Sequence, residues 1–94
     1  MNKQLNELQK RLQKAEEDLK ERVVQGTAGG GVVKVMANGQ QELVAVKIED
    51  DAMADKSLLE EMIQAAANEA LQKAKKMREG EMAKVTGLSM PGMY

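Results

Sequence analysis

Residues 23–50 read VVQGTAGGGVVKVMANGQQELVAVKIED, and the fold depends on what the glycines near the start of this stretch do. Gly26, Gly29, Gly30 and Gly31 stand ahead of two valine-rich runs. A glycine loop that cradles a phosphate leads from a strand into a helix and carries Gly-Lys-Ser/Thr, so that helix N-terminal N–H groups and a lysine both reach the phosphate. Here the order is reversed. A helical pattern precedes the glycines, a strand pattern follows them, and no Lys-Ser or Lys-Thr comes after. The glycines are therefore expected to turn the chain, entering positive φ at little steric cost and folding a short strand over residues 23–25 back toward Val32.

A second turn, at Asn38 and Gly39, sets the register of the hairpin that follows. A two-residue loop would bring Val35 opposite Glu42 and Lys34 opposite Leu43, mixing apolar and charged residues on both faces. A four-residue loop over 38–41 brings Val35 against Val44, Val33 against Val46 and Gly31 against Ile48. That gathers the valines on one face, which a one-residue slip would turn to water, so the four-residue loop is the expected register.

On either side of this stretch the period changes from two to about 3.6. Leu5, Leu8, Leu12, Ala15 and Leu19 recur at alternating steps of three and four, which predicts an amphipathic helix from Asn2 to about Arg22. Its stripe is as narrow as a coiled-coil seam and calls for a second helix. A longer helix is expected over about 55–85, with Asp55 or Ser57 as its cap and Glu60 and Glu61 in its first turn, where they meet free backbone N–H groups. Leu59, Met62, Ile63, Ala66, Ala70, Ala74 and Met77 mark its buried side, and the alanines allow a close neighbour. Gly80 is expected to weaken this helix near its end. The chain reads as one domain over 1–87, of class α+β, with a glycine- and proline-containing flexible tail over 88–94.

Composition narrows the chemistry. In 94 residues there is no Cys, His, Trp or Phe, and Tyr94 is the single aromatic. Thiol and imidazole catalysis and Cys/His zinc sites thus have no residues to use. The acid pairs Glu60-Glu61 and Asp50-Asp51 are adjacent in sequence, which does not aim two carboxyls at one atom. No catalytic residue, metal site, cofactor or small-molecule substrate is expected. The amino terminus has no apolar core of the signal-peptide kind and no run approaches the ~20 apolar residues that span a bilayer, so no membrane association is expected and a cytoplasmic location is.

Taken together, the residues resemble the YbaB/EbfC family of bacterial nucleoid-associated proteins. The likeness covers nearly the whole chain and rests on three features: the glycine-rich step into Val33-Lys34-Val35, the Asn38-Gly39 turn and the Ala-Ala-Asn-Glu-Ala run around Asn68. Two departures are a missing Gly/Met-rich leader before the first helix, which would add a basic contact, and the lack of a proline after Ile48-Glu49. The resemblance implies an α-β-β-β-α protomer whose antiparallel three-stranded sheet is flanked by two helices. It further implies a homodimer with paired sheets and projecting helices, binding duplex DNA in the nucleoid through those helices.

Charge alone divides on this point. The net charge is −1, whereas a nonspecific DNA binder ordinarily carries excess Lys and Arg on one face. Locally, Lys73, Lys75, Lys76 and Arg78 form a run with no intervening acid, and Lys3, Lys10, Arg11 and Lys14 make the first half of the first helix basic. Basic residues late in a helix also complement its dipole and keep a solvated face soluble, which is the structural alternative for the Lys73 to Arg78 run. With the resemblance these eight residues become the expected DNA contacts, made to the duplex backbone because no aromatic is available to stack on bases. The competing class is a prefoldin-like holdase or an oligomeric interaction module without DNA binding, with the eight methionines as an adaptable surface.

Overall fold

A computed structural model describes residues 2–87; the tail expected over 88–94 lies outside the described residues. The order is helix α1 (Asn2–Glu21), strands β1 (Val23–Ala28), β2 (Val33–Asn38) and β3 (Leu43–Ile48), a short 3-10 stretch (Asp50–Ala54), and helix α2 (Lys56–Thr86). The strands form one open antiparallel sheet in the order β1-β2-β3. This is the expected α-β-β-β-α architecture, with the 3-10 stretch an unanticipated link whose Ala52 is buried.

The long helix begins where Asp55 accepts a hydrogen bond at 3.1 Å from the Leu58 amide, so Asp55 is its cap. It runs straight through Gly80 and ends at Gly87, which takes the left-handed φ of 72° and donates its amide to Lys84. Ala66, Ala70 and Ala74 are completely buried against Val33, Val35 and Ala37 of β2, with Leu59, Met62 and Ile63 half-buried around them. Alanines rather than larger residues allow the helix to lie close on the sheet, and one strand residue makes that approach possible.

That residue is Gly26. It does not turn the chain, as the sequence led one to expect, but sits inside β1 opposite Val35. A side chain there would run into the backbone of α2, against the Ala66 carbonyl oxygen and 2.5 Å from the Ala70 nitrogen. The turn itself is made by Gly29, Gly30 and Gly31, all at positive φ (65°, 73° and 100°), and β1 is longer than expected, reaching Ala28.

The second hairpin corrects the expected register. Val35 lies opposite Val46, not Val44, and Val33 lies opposite Ile48. Asn38 is the cause. Its amide donates to the Glu42 carbonyl, its side-chain oxygen accepts from the Gln40 and Glu42 amides, and Gln41 takes a left-handed φ of 62°, closing a loop of three residues. Ala37 then pairs with Leu43 and Met36 with Ala45, leaving Val44 as an unpaired bulge. The valine faces survive because the shift from the expected register is two residues, and an even slip preserves faces.

The first helix packs at the far end of this layer. Ala15 and Leu19 are buried, Leu12 and Glu16 are half-buried, and residues 3–11 are all exposed. Its C-terminal half meets the hairpin loop, where Gly39 donates to the Leu19 carbonyl at 2.7 Å and Gln40 Nε2 to the Glu16 carbonyl at 3.1 Å. Thus α2 alone covers the sheet, on one face, and α1 projects from its end, giving a flat, elongated body of 61 × 28 × 15 Å.

Candidate nucleic-acid interface

Since Ala66, Ala70 and Ala74 face the sheet, a helical step of 100° carries Lys75 and Lys76 to the far side of α2. Both are exposed, and neither belongs to an ion pair among the described residues. They edge a shallow groove with Gln41, Asn68, Gln72 and Glu79, in which Glu79 is the single acid.

The other two members of the basic run have different surroundings. Lys73 reaches over the β1 edge, donating to the Gln25 carbonyl at 2.9 Å and pairing with Glu69 one turn earlier at 3.2 Å. Arg78 grips Glu16 of α1 with both guanidinium nitrogens, Nη2 to Oε2 at 3.0 Å. This hydrogen bonding, assisted by the opposite charge and opposed by partial burial, holds the Glu16 carboxyl below its ordinary value and raises Arg78. Arg22 Nη1 and Glu81 Oε1 form a second bridge between the end of α1 and the end of α2, at 2.8 Å. Arg78 thereby docks α1 while holding its charge next to a carboxylate. On α1, Lys3, Lys10, Arg11 and Lys14 are exposed and are in none of the described ion pairs, Lys14 lying next to the docked Ala15 and Glu16.

Two further lysines were not singled out in the sequence. Lys34 and Lys47 are opposite partners in the β2–β3 ladder, on the sheet face that α2 leaves bare. The register expected from the valines sets Lys34 opposite Ala45, so the pairing was hidden by the bulge at Val44. Apolar residues are also left uncovered. Leu43, Val44 and Val46 of the edge strand β3 are each about half exposed, as is Leu5 on α1, where Leu8 is about a third exposed. No helix of the described residues is long and apolar enough to cross a membrane.

A bare-faced three-stranded sheet backed by one long helix, whose outer side carries Lys75 and Lys76, makes this a small two-layer α+β protein. The profile of the YbaB/EbfC DNA-binding family matches residues 1–89, and the chain belongs to that family. Among its relatives is a nucleoid-associated protein of Thermoanaerobacter pseudethanolicus, 43% identical over 97 residues, spanning all of this chain and 87% of that protein. Another, from Moorella thermoacetica, is 47% identical and spans 98% of this chain and 91% of its own. The fold matches the crystal structure of an uncharacterized protein from Helicobacter pylori with a TM-score of 0.83 at 26% identity, covering 90% of this chain and 91% of that one.

Proposed function

We propose that the protein is a cytoplasmic, nucleoid-associated homodimer that binds duplex DNA with little sequence preference, through lysine and arginine contacts to phosphate, and so affects nucleoid organisation or gene expression. The observation that carries this reading is the pair Lys75 and Lys76, exposed on the outer face of α2 with no carboxylate partner among the described residues. Lys3, Lys10, Arg11 and Lys14 on projecting α1 extend the basic surface, while Lys73 and Arg78 contribute less because each already has an acidic partner. Phosphate contacts position a protein on DNA without reading sequence, and none of residues 2–87 is aromatic, so the described surface has no side chain for stacking on bases.

The dimer is supported by the uncovered edge strand. An outer strand with free backbone groups and half-exposed Leu43, Val44 and Val46 is a template for pairing with another chain. The Leu5, Leu8 and Leu12 seam offers a second helix the same opportunity. A dimer doubles the lysines available to one duplex.

The test is a Lys75→Ala/Lys76→Ala variant. Neither side chain is in the core, so the fold should persist, while duplex affinity drops by a similar factor on unrelated sequences. Lys73 is left alone because it ties α2 to β1. If the double variant binds as tightly as the parent, these helix lysines are not the contacts. If the parent itself fails to shift duplex DNA near 50 mM salt, an interaction module without DNA binding takes the place of this reading.

A further inference from the structure

The sheet face left bare by α2 is built from strands without a single acid. Val23–Ala28, Val33–Asn38 and Leu43–Ile48 contain no Asp or Glu, although the chain has fifteen such residues and a net charge of −1. Near the glycine-turn end of that face Thr27, Lys34 and Lys47 stand in one row, since Thr27 pairs with Lys34 and Lys34 with Lys47. Both lysines are exposed and neither belongs to an ion pair among the described residues. Glu49, just past β3, borders the same hollow as Gly31, Lys34 and Lys47 without pairing to either.

Like charges directly opposite each other across an antiparallel ladder are destabilising. An anion lying between the two ammonium groups turns that repulsion into two attractions. The ammonium is a compact point charge with freely rotating donors, which suits a phosphate without demanding one orientation. A threonine hydroxyl adds a neutral donor to the same row. The strands of this face carry no acid, although Glu49 borders it and the Glu69 carboxylate accepts from the Thr27 amide at 3.3 Å, and its paired lysines suit an extended polyanion.

We infer that Thr27, Lys34 and Lys47 form a second phosphate-contacting surface for duplex DNA, on the opposite side of the protomer from Lys75 and Lys76. The inference rests on the DNA-binding reading and extends it: the α2 lysines and the sheet lysines lie on opposite faces of a two-layer body, so they meet separate stretches of backbone. The two surfaces therefore take separate duplex segments, as independent sites.

The test compares the parent with a Lys34→Gln/Lys47→Gln variant, by fluorescence anisotropy on a labelled duplex between roughly 50 and 200 mM salt. Removing two facing charges relieves repulsion, so the variant should melt no lower than the parent, which separates binding from folding. The expected result, in titrations at low salt with protein and duplex well above the dissociation constant, is that the number of duplexes bound per protomer at saturation falls by half, while the affinity and salt slope of the remaining helix surface persist. Lys75→Gln/Lys76→Gln should likewise leave one surface, and combining all four changes should remove both. A parent that binds and a Lys34/Lys47 variant that binds as many duplexes per protomer as the parent overturns the sheet surface while leaving the helix surface standing. A parent that does not bind at all overturns the DNA reading, and this inference with it.

Discussion

Replacing Gly26 by alanine adds one methyl group where β1 lies directly against the backbone of α2. The new Cβ would press on the Ala66 carbonyl oxygen, lie 2.5 Å from the Ala70 nitrogen and 3.0 Å from Glu69 Cβ. The first two are backbone atoms of a 31-residue helix, which cannot yield as a flexible side chain does. The helix must lift, loosening Ala66, Ala70 and Ala74 from Val33 and Val35. Overpacking costs about 1–3 kcal/mol, and a backbone clash belongs at the upper end, near ~3 kcal/mol. Alanine's advantage over glycine within a strand recovers about 0.5–1 kcal/mol, leaving a net loss of roughly 2–2.5 kcal/mol. At about 4–8 °C per kcal/mol for a domain of this size, the melting temperature should fall by roughly 8–20 °C. Circular dichroism melts at one fixed protein concentration measure this, the concentration being held because the proposed dimer would make stability depend on it. Gly30→Ala is the control: nothing lies within 4 Å of its added methyl, so it isolates the cost of φ 73°, about 1–2 kcal/mol. A Gly26→Ala protein that melts with the parent, or above it, would refute the close approach of α2 to β1.

Gly80 is within α2, has open space around it and no positive φ, so Gly80→Ala should raise stability by about 0.5–1 kcal/mol in a urea titration. Glu16→Gln should weaken the docking of α1 at neutral pH by less than about 1 kcal/mol, since both partners of the Arg78 pair are about a third exposed. The folded pKa of Glu16 is depressed, so its contribution is present above the ordinary value of 4.5 and lost as pH falls through the lower folded value. The stability gap between parent and variant should accordingly narrow as pH falls below 4.5, and a gap constant with pH would contradict the pairing. Val46→Glu places a charge on the exposed edge strand without touching the buried core, and sedimentation should show it at the 10.3 kDa chain mass where the parent runs at twice that.

The helices were readable because their apolar residues repeat over many turns, and the cap at Asp55 has a simple donor and acceptor logic. Gly26 was misread for a physical reason. A glycine that turns the chain and a glycine that admits a helix carry the same local signal, and the alanines that mark a close approach do not say which strand is approached. The hairpin register was missed by two residues because alternation constrains parity alone, while the actual offset came from the side chain of Asn38 and the bulge at Val44. The same limit applied to the interface. A basic run from Lys73 to Arg78 is visible along the chain, but its division into free and engaged members depends on Gln25 and Glu16, which are 48 and 62 residues away in sequence from Lys73 and Arg78. Lys34 and Lys47 became a pair only once the bulge set them opposite each other.

The central claim is that lysines on a folded dimer hold duplex DNA by its phosphates, and the salt dependence of binding tests it most directly. If each protomer contributes about two or three contacts, the dimer's helices neutralise roughly four to six phosphates, and log K should fall against log salt with a slope of about −4 to −5. Binding titrations on two unrelated duplexes across roughly 50–200 mM salt should return that slope with nearly equal affinities. A slope near zero, a strong preference for one duplex, or no binding near 50 mM salt would contradict the account.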